Sequence, residues 1–231
     1  LQLLEFAFDH LPLTTTDRSV RCLINNVVKD SLRPQDDCRK SAGRDAAFEL
    51  FVGAVAAAAK LDPVLFEEPD LSCELKGQKY AIAAKRIKSV KSLLKRVSDG
   101  CEQIQRAGSY GFVALDTCLA FNPKNDRIED PMATNQFLQR YFRVLNSVWR
   151  RYDARAQEIM LKHDRVLGLV IHDCQIRLNQ QNEYELVGMS MRVVSASLTR
   201  PEQRHFSELT TIYTNGLPNQ EDVSHPKLWV P

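Results

Sequence analysis

The chain has 231 residues, 44% hydrophobic and 26% charged, with a formal net charge of +2. That is enough chain for one large or two small domains with a real core, in an ordinary globular composition. It excludes a fibrous or compositionally disordered class, and a charge so near zero excludes a protein that attracts nucleic acid over its whole surface. The longest apolar run, Val52 to Ala59, is alanine-rich and too short to span a bilayer. No charged-apolar-small leader opens the chain at Leu1, so the default expectation is a cytoplasmic protein without a membrane.

Residues 1–43 read as a small helical extension that packs on the main domain. Leu3, Leu4, Phe6, Ala7 and Phe8 suggest a short amphipathic helix. Thr14 to Asp17 is a polar break, and Val20, Leu23, Ile24, Val27 and Val28 recur at helical spacing. From Arg44 to Lys60 the pattern is again helical, with a stripe of Phe48, Phe51, Val52 and Val55. Glu49, Gly53 and Ala56 form a second, small face that would permit close approach to a sheet, and Asp62-Pro63 ends the helix.

Leu71 to Leu75 and Tyr80 to Lys85 read as two strands around the turn Lys76-Gly77-Gln78. Ser89 to Ala107 reads as a helix that buries Val90, Leu93, Leu94, Val97, Cys101 and Ile104 and stops at Gly108. Gly111 to Leu115 is a continuous apolar run, the mark of a strand buried on both faces and parallel to a neighbour. A helix between two such strands makes them a right-handed crossover pair.

Beyond a loop from Asn122 to Asp130, Pro131 fits a first-turn proline. Phe137, Tyr141, Leu145, Val148 and Tyr152 mark a long helix with a bend before His163. Val166 to Ile171 is a buried strand, and Tyr184 to Val194 pairs with it across the turn Asn179 to Glu183. Thr199 and Glu202 fit a capping box for a last helix. The tail from Asn215 is polar, with Trp229 expected to dock. His172 and Asp173 end the buried strand, and a structural histidine is the better expectation there than a proton carrier.

Several negatives narrow the chemistry. The six cysteines, Cys22, Cys38, Cys73, Cys101, Cys118 and Cys174, include no Cys-x-x-Cys pair, and buried free thiols are expected. There is no Gly-x-Ser-x-Gly and no Gly-x-x-x-x-Gly-Lys, which removes the serine-hydrolase elbow and the P-loop. Charge is unevenly placed: from Lys76 to Arg106, nine basic residues face only Asp99 and Glu102.

The chemical constellation lies on the hairpin. Glu68-Pro69-Asp70 precedes its first strand, and Ala83-Ala84-Lys85 ends its second. Side chains at i and i+2 share a strand face, so position 83 points as Lys85 does and Ala84 points away. Asp70 can reach the same end of the sheet, and Glu49 can come in from the helix above. Cleaving a phosphodiester needs an activated water and a stabilised oxyanion, and a hard divalent cation on oxygen ligands supplies both. A lysine beside it can orient that water and neutralise developing charge.

This arrangement resembles the PD-(D/E)-x-K nuclease superfamily. The match rests on Pro69-Asp70, on Ala83-Ala84-Lys85 and on the element order from about Arg44 to Phe121. The resemblance implies an α/β fold, a restriction-endonuclease-like mixed β-sheet flanked by helices, with residues 1–43 as the helical extension and 44–231 as the nuclease domain. It implies Mg²⁺ or Mn²⁺ bound by Asp70, Glu49 and the Ala84 carbonyl, with Lys85 serving the attacking water. It also implies nucleic acid as partner, DNA favoured, with Arg86, Lys88, Lys91 and Lys95 as phosphate contacts. Gln103 and Gln105 both compete for the glutamine that some subgroups place on the following helix. A homodimer or a place in a larger assembly is compatible.

The departure is Ala83, where such sites carry Asp or Glu. Three accounts are open: the carboxylate role has migrated to Glu49, the acid was replaced to trap an inactive form, or the chain is a pseudo-nuclease that binds without cutting. Migration to Glu49 is preferred, because that helix face is built for close packing. The rival is a non-catalytic interaction module on the same fold, binding nucleic acid or a partner protein.

Overall fold

The Phe48, Phe51, Val52 and Val55 stripe forms the centre of a 17-residue helix that inserts its apolar side into the core. The computed structural model describes residues 2–11, 18–30, 41–122, 128–129, 133–178, 181 and 184–218. The helices α1 (Gln2–His10) and α2 (Arg18–Lys29) pack on α3 (Ala42–Ala58). Their contact joins Ala7, Leu11 and Val20 to Leu50 and Ala54. The ring of Phe66 fills the space against Gly53, so that small face receives a loop side chain.

A mixed six-stranded sheet follows. Strand β1 (Leu71–Leu75) runs antiparallel to β2 (Gln78–Arg86). The hairpin turn is the pair Lys76-Gly77, both with positive φ (53° and 78°), the conformation that suits the twist of a two-residue hairpin. After a 3-10 turn at Val90–Ser92, helix α4 (Leu93–Ala107) crosses over to β3 (Gly111–Asp116), which is parallel to β2. Gly108 closes α4 at φ 75°, the left-handed cap that glycine adopts without a Cβ clash.

After α5 (Cys118–Phe121) and the short β4 (Ile128–Glu129), the long helix of the sequence reading appears as two helices, α6 (Thr134–Trp149) and α7 (Asp153–Met160). The bend before His163 is the break at residues 150–152. Strand β5 (Val166–Leu178) runs parallel to β3. Strand β6 (Tyr184–Val194) lies antiparallel along β5 from Gly168 to Leu178. Helix α8 (Arg200–Asn215) starts in the expected capping box of Thr199 and Glu202. Pro131, Trp229, the break at Thr14 to Asp17 and most of the turn from Asn179 to Glu183 lie outside the described residues.

One boundary differs. The strand read as Val166 to Ile171 continues to Leu178. Its second half carries Asp173, Gln175 and Arg177, which look like loop residues but are all buried. Asp173 accepts hydrogen bonds from Thr117 Oγ1 (2.6 Å), Tyr141 OH (2.5 Å) and Gln175 Nε2 (2.7 Å), and Arg177 lies over the Phe137 ring. Polar residues enter a core when their partners are supplied there. Pattern reading does not see those partners, because Thr117 comes from the turn after β3 and Tyr141 and Phe137 come from α6.

Successive residues of β2 divide the core into two layers. Tyr80, Ile82 and Ala84 face α3 and α8, where Phe206, Leu209 and Tyr213 pack. Ala81 and Ala83 face α4 and α7, where Leu93, Val97, Ile104, Ala156 and Met160 pack. Each fully buried aliphatic side chain here contributes about 1.5–3 kcal/mol. Both sheet faces are thus covered, and this explains the uninterrupted apolar runs of β2 and β3. No helix among the described residues is long and apolar enough to cross a membrane.

Candidate functional site

The site begins where β1 stops pairing. The ladder with β2 runs from Leu75↔Gln78 to Leu71↔Ile82. Ala84 therefore lies past the end of β1, and its N–H on that edge has no strand carbonyl to meet. An unpaired buried N–H is costly, and the Asp70 side chain fills the role: Ala84 N–H donates to Asp70 Oδ2 at 2.8 Å. The same oxygen receives Lys85 Nζ at 2.5 Å. Lys85 Nζ also donates to the Ala84 carbonyl at 3.1 Å. Aspartate, backbone and lysine thus form one closed cluster, with the two side chains 14% and 12% exposed.

A cavity of about 370 Å³ opens beside this cluster. Helix α3 contributes Asp45 and Glu49, and β2 contributes Ala84, Lys85 and Arg86. Helix α4 contributes Arg96, Asp99, Glu102, Gln103 and Arg106. The cavity lies at the carboxyl end of β2, one of the parallel strands, where α/β sheets present their ligand crevices.

Burial sets the electrostatics. It pushes the Glu49 carboxyl up to about 7, Asp70 and Asp45 push it further up, and Lys85 pulls it back. Burial also raises the Asp70 carboxyl, outweighing the ammonium of Lys85 and the hydrogen bonds it accepts. Two carboxyls that resist ionisation beside one lysine mark a place that would welcome further positive charge. Gln103 Nε2 donates to the Pro69 carbonyl at 3.3 Å, while its Oε1 is buried without a partner. That orphan acceptor lies in the wall of the same cavity.

Sequence reasoning placed Asp70, Lys85, Ala84 and Glu49 at one sheet end, and the fold brings them there. Ala83 shares the Lys85 face, fully buried among apolar residues that include Val97, Cys101 and Val113. Of the two competing glutamines, Gln103 is the one in the cavity wall, because Gln105 turns away to Asp164 at 2.8 Å. Arg86 lines the cavity but is held by Asp116 (3.2 Å), Asp45 (3.5 Å) and Ser41 Oγ (3.0 Å). Lys88 follows β2, and Lys91 and Lys95 are exposed; none of the three lines the cavity. Glu68 meets Arg106 at 3.9 Å on the surface.

Asp45, Arg96, Asp99, Glu102 and Arg106 were not singled out from the sequence. A signal was present: Arg96, Asp99, Gln103 and Arg106 recur at i, i+3, i+7 and i+10, one continuous helix face. His172, by contrast, is a structural residue. It sits edge-on to Phe48 and Phe51, its Nε2 meets Tyr213 OH at 3.2 Å, and burial lowers its pKa to about 3. Cys73 and Cys101 are buried free thiols pushed up to about 12, while Cys22 is exposed.

Fold and site together define an α/β protein with a charged cavity at the carboxyl end of its mixed sheet. No protein-family model, no curated protein and no solved structure matches the chain.

Proposed function

We propose that the chain is a nuclease of the PD-(D/E)-x-K kind, hydrolysing nucleic-acid phosphodiester bonds with Mg²⁺ or Mn²⁺, DNA being the favoured substrate. The observation that carries this reading is the Lys85–Asp70 contact of 2.5 Å beside a cavity that Lys85 and Glu49 line.

The donor set fits a hard cation. Asp70, Glu49 and the Ala84 carbonyl are three oxygen donors of the type Mg²⁺ and Mn²⁺ prefer, with water completing the shell. Among the described residues no group of three or more His, Cys, Asp or Glu side chains is disposed to hold a metal, and the proposed set is two carboxylates and a backbone carbonyl. When bound, the cation would supply a water of lowered pKa and charge on the scissile phosphate. The residues do the rest. Asp70 fixes the Lys85 ammonium, which would hold the attacking water and meet developing negative charge. Glu49 would bind as the carboxylate, the cation displacing the proton that burial favours on it. Gln103 ties its helix to the Pro69 carbonyl and steadies Asp70 next to it.

A second reading has its own observation. Ala83 is fully buried in an apolar cluster, where the superfamily resemblance expects a carboxylate. On that reading the chain is an inactive module that binds nucleic acid or a partner protein.

Plasmid nicking in Mn²⁺ separates the two. Nicking by the wild-type chain that disappears in Lys85→Ala supports the enzyme. Nicking only after Ala83→Glu assigns the binding module. No nicking by either chain defeats the enzyme reading.

A further inference from the structure

We infer that Arg96 and Arg106 are the phosphate grips of this site and that its ligand is a nucleic-acid strand laid along α4, not a single nucleotide. This rests on the phosphodiester reading above and names the substrate geometry it requires.

The cations around the cavity differ in how readily they can be released to a ligand. Arg86 is 9% exposed and clamped by Asp116, Asp45 and Ser41. Lys85 is committed to Asp70. Arg96 and Arg106 line the cavity and hold weak partners among the described residues. Arg96 lies 3.5 Å from Asp99, and Arg106 lies 3.9 Å from Glu68. Both pairs are solvent-exposed, and ion pairs of that kind are readily exchanged for a phosphate that offers a bidentate partner.

Spacing gives the ligand its length. Ten residues separate the two arginines, about 15 Å of helix rise. A single nucleotide does not reach across that distance, so a ligand that meets both guanidiniums spans more than one nucleotide. Gln103, bonded to the Pro69 carbonyl next to Asp70, lies between them on the same helix face. One grip therefore falls on each side of the reacting centre.

The cavity lining offers a small anion no concentrated positive charge. Asp45, Glu49, Asp99 and Glu102 offset Lys85, Arg86, Arg96 and Arg106 around the cavity. A strand reaching from Arg96 to Arg106 meets each guanidinium in turn. Asp99 and Glu102 lie between the two grips along the helix and repel phosphate there, which fixes the strand's register.

The test is fluorescence anisotropy with a labelled 12-nucleotide single-stranded DNA, in EDTA so that cleavage does not intrude, from 50 to 200 mM NaCl. Each of Arg96→Ala and Arg106→Ala is expected to make the slope of log K against log[salt] shallower by about 0.7. The double variant loses at least tenfold in affinity at 50 mM, and Glu102→Gln binds more tightly. Lys91→Ala/Lys95→Ala flattens the slope less than the arginine double variant does, and dTMP does not compete. Circular dichroism confirms that each variant is folded. If the lysine variant flattens the slope and the arginine variants do not, the grips are misassigned while the phosphodiester reading stands. If the wild-type chain does not bind the oligonucleotide at 50 mM, the strand assignment falls, while the phosphodiester reading is decided by the nicking assay.

Discussion

Lys85 and Asp70 are 15 residues apart in the chain, yet Nζ and Oδ2 are 2.5 Å apart at a point where β2 has outrun its neighbour β1. The contact is a consequence of strand length. Asp70 takes over the hydrogen bond that a further residue of β1 would have made to Ala84, and Lys85 neutralises the carboxylate that results.

Removing the two partners should therefore cost unequal amounts. Asp70→Ala orphans the Ala84 N–H and leaves the ammonium unpaired, a loss of about 3 kcal/mol. Lys85→Met keeps the N–H satisfied and loses about 1–2 kcal/mol. Urea unfolding at pH 7 measures both, and an equal loss would mean that the backbone bond contributes nothing.

Glu49 makes stability depend on pH. Its carboxyl stands at about 7 in the folded protein against an ordinary value of 4.5, raised by burial, Asp70 and Asp45 and lowered by Lys85. Between those values the folded state holds a proton that the unfolded state has lost. Stability therefore falls as pH rises from about 4.5 to 7, by roughly 1–3 kcal/mol, and levels off above. Burial raises the Asp70 carboxyl as well, with the same sign. Melting temperatures from pH 5 to 8 should decline more steeply for wild type than for Glu49→Gln, with the variant the more stable at pH 8. Parallel profiles would remove Glu49 as the cause.

Ala83→Glu places a carboxylate at a fully buried position on the Lys85 face, one residue beyond the Leu71↔Ile82 pair that ends the ladder next to Asp70. Without divalent metal this variant is expected to lose about 2–4 kcal/mol. With millimolar Mn²⁺ it should recover part of that loss, because binding to the folded state alone stabilises by mass action. The check is the Mn²⁺-induced rise in melting temperature, which should exceed that of wild type by several degrees. An equal rise would mean that position 83 does not face the cation.

Arg86 joins three elements at the end of β2: Asp116 of β3, Asp45 of α3 and Ser41 before it. Arg86→Ala should cost about 2–4 kcal/mol because it leaves Asp116 without its guanidinium. Lys91→Ala, on an exposed position, should stay within about 0.5 kcal/mol. Chemical denaturation of the pair tests whether this arginine is a clamp, and near-identical stabilities would refute it.

Most of the fold was legible because its elements carry local signals. The capping box at Thr199, the Gly108 stop, the Lys76-Gly77 turn and the apolar runs of β2 and β3 each depend on neighbours in sequence. The second half of β5 was not legible. Asp173 and Gln175 are polar by composition, and only Thr117, Tyr141 and Asn122, brought in from elsewhere, make their burial tolerable. Likewise the choice between Gln103 and Gln105 depends on helix phase relative to a cavity that no local pattern reveals.

The sequence by itself determined the order of helices and strands and the candidates Asp70, Lys85 and Glu49, because strand alternation and helical periodicity are properties of adjacent residues. Only the tertiary structure decided which basic residues face the cavity and which are locked into the frame. That sorting follows from where α3 and α4 lie on opposite faces of the sheet, and from partners such as Asp116 that lie 30 residues away.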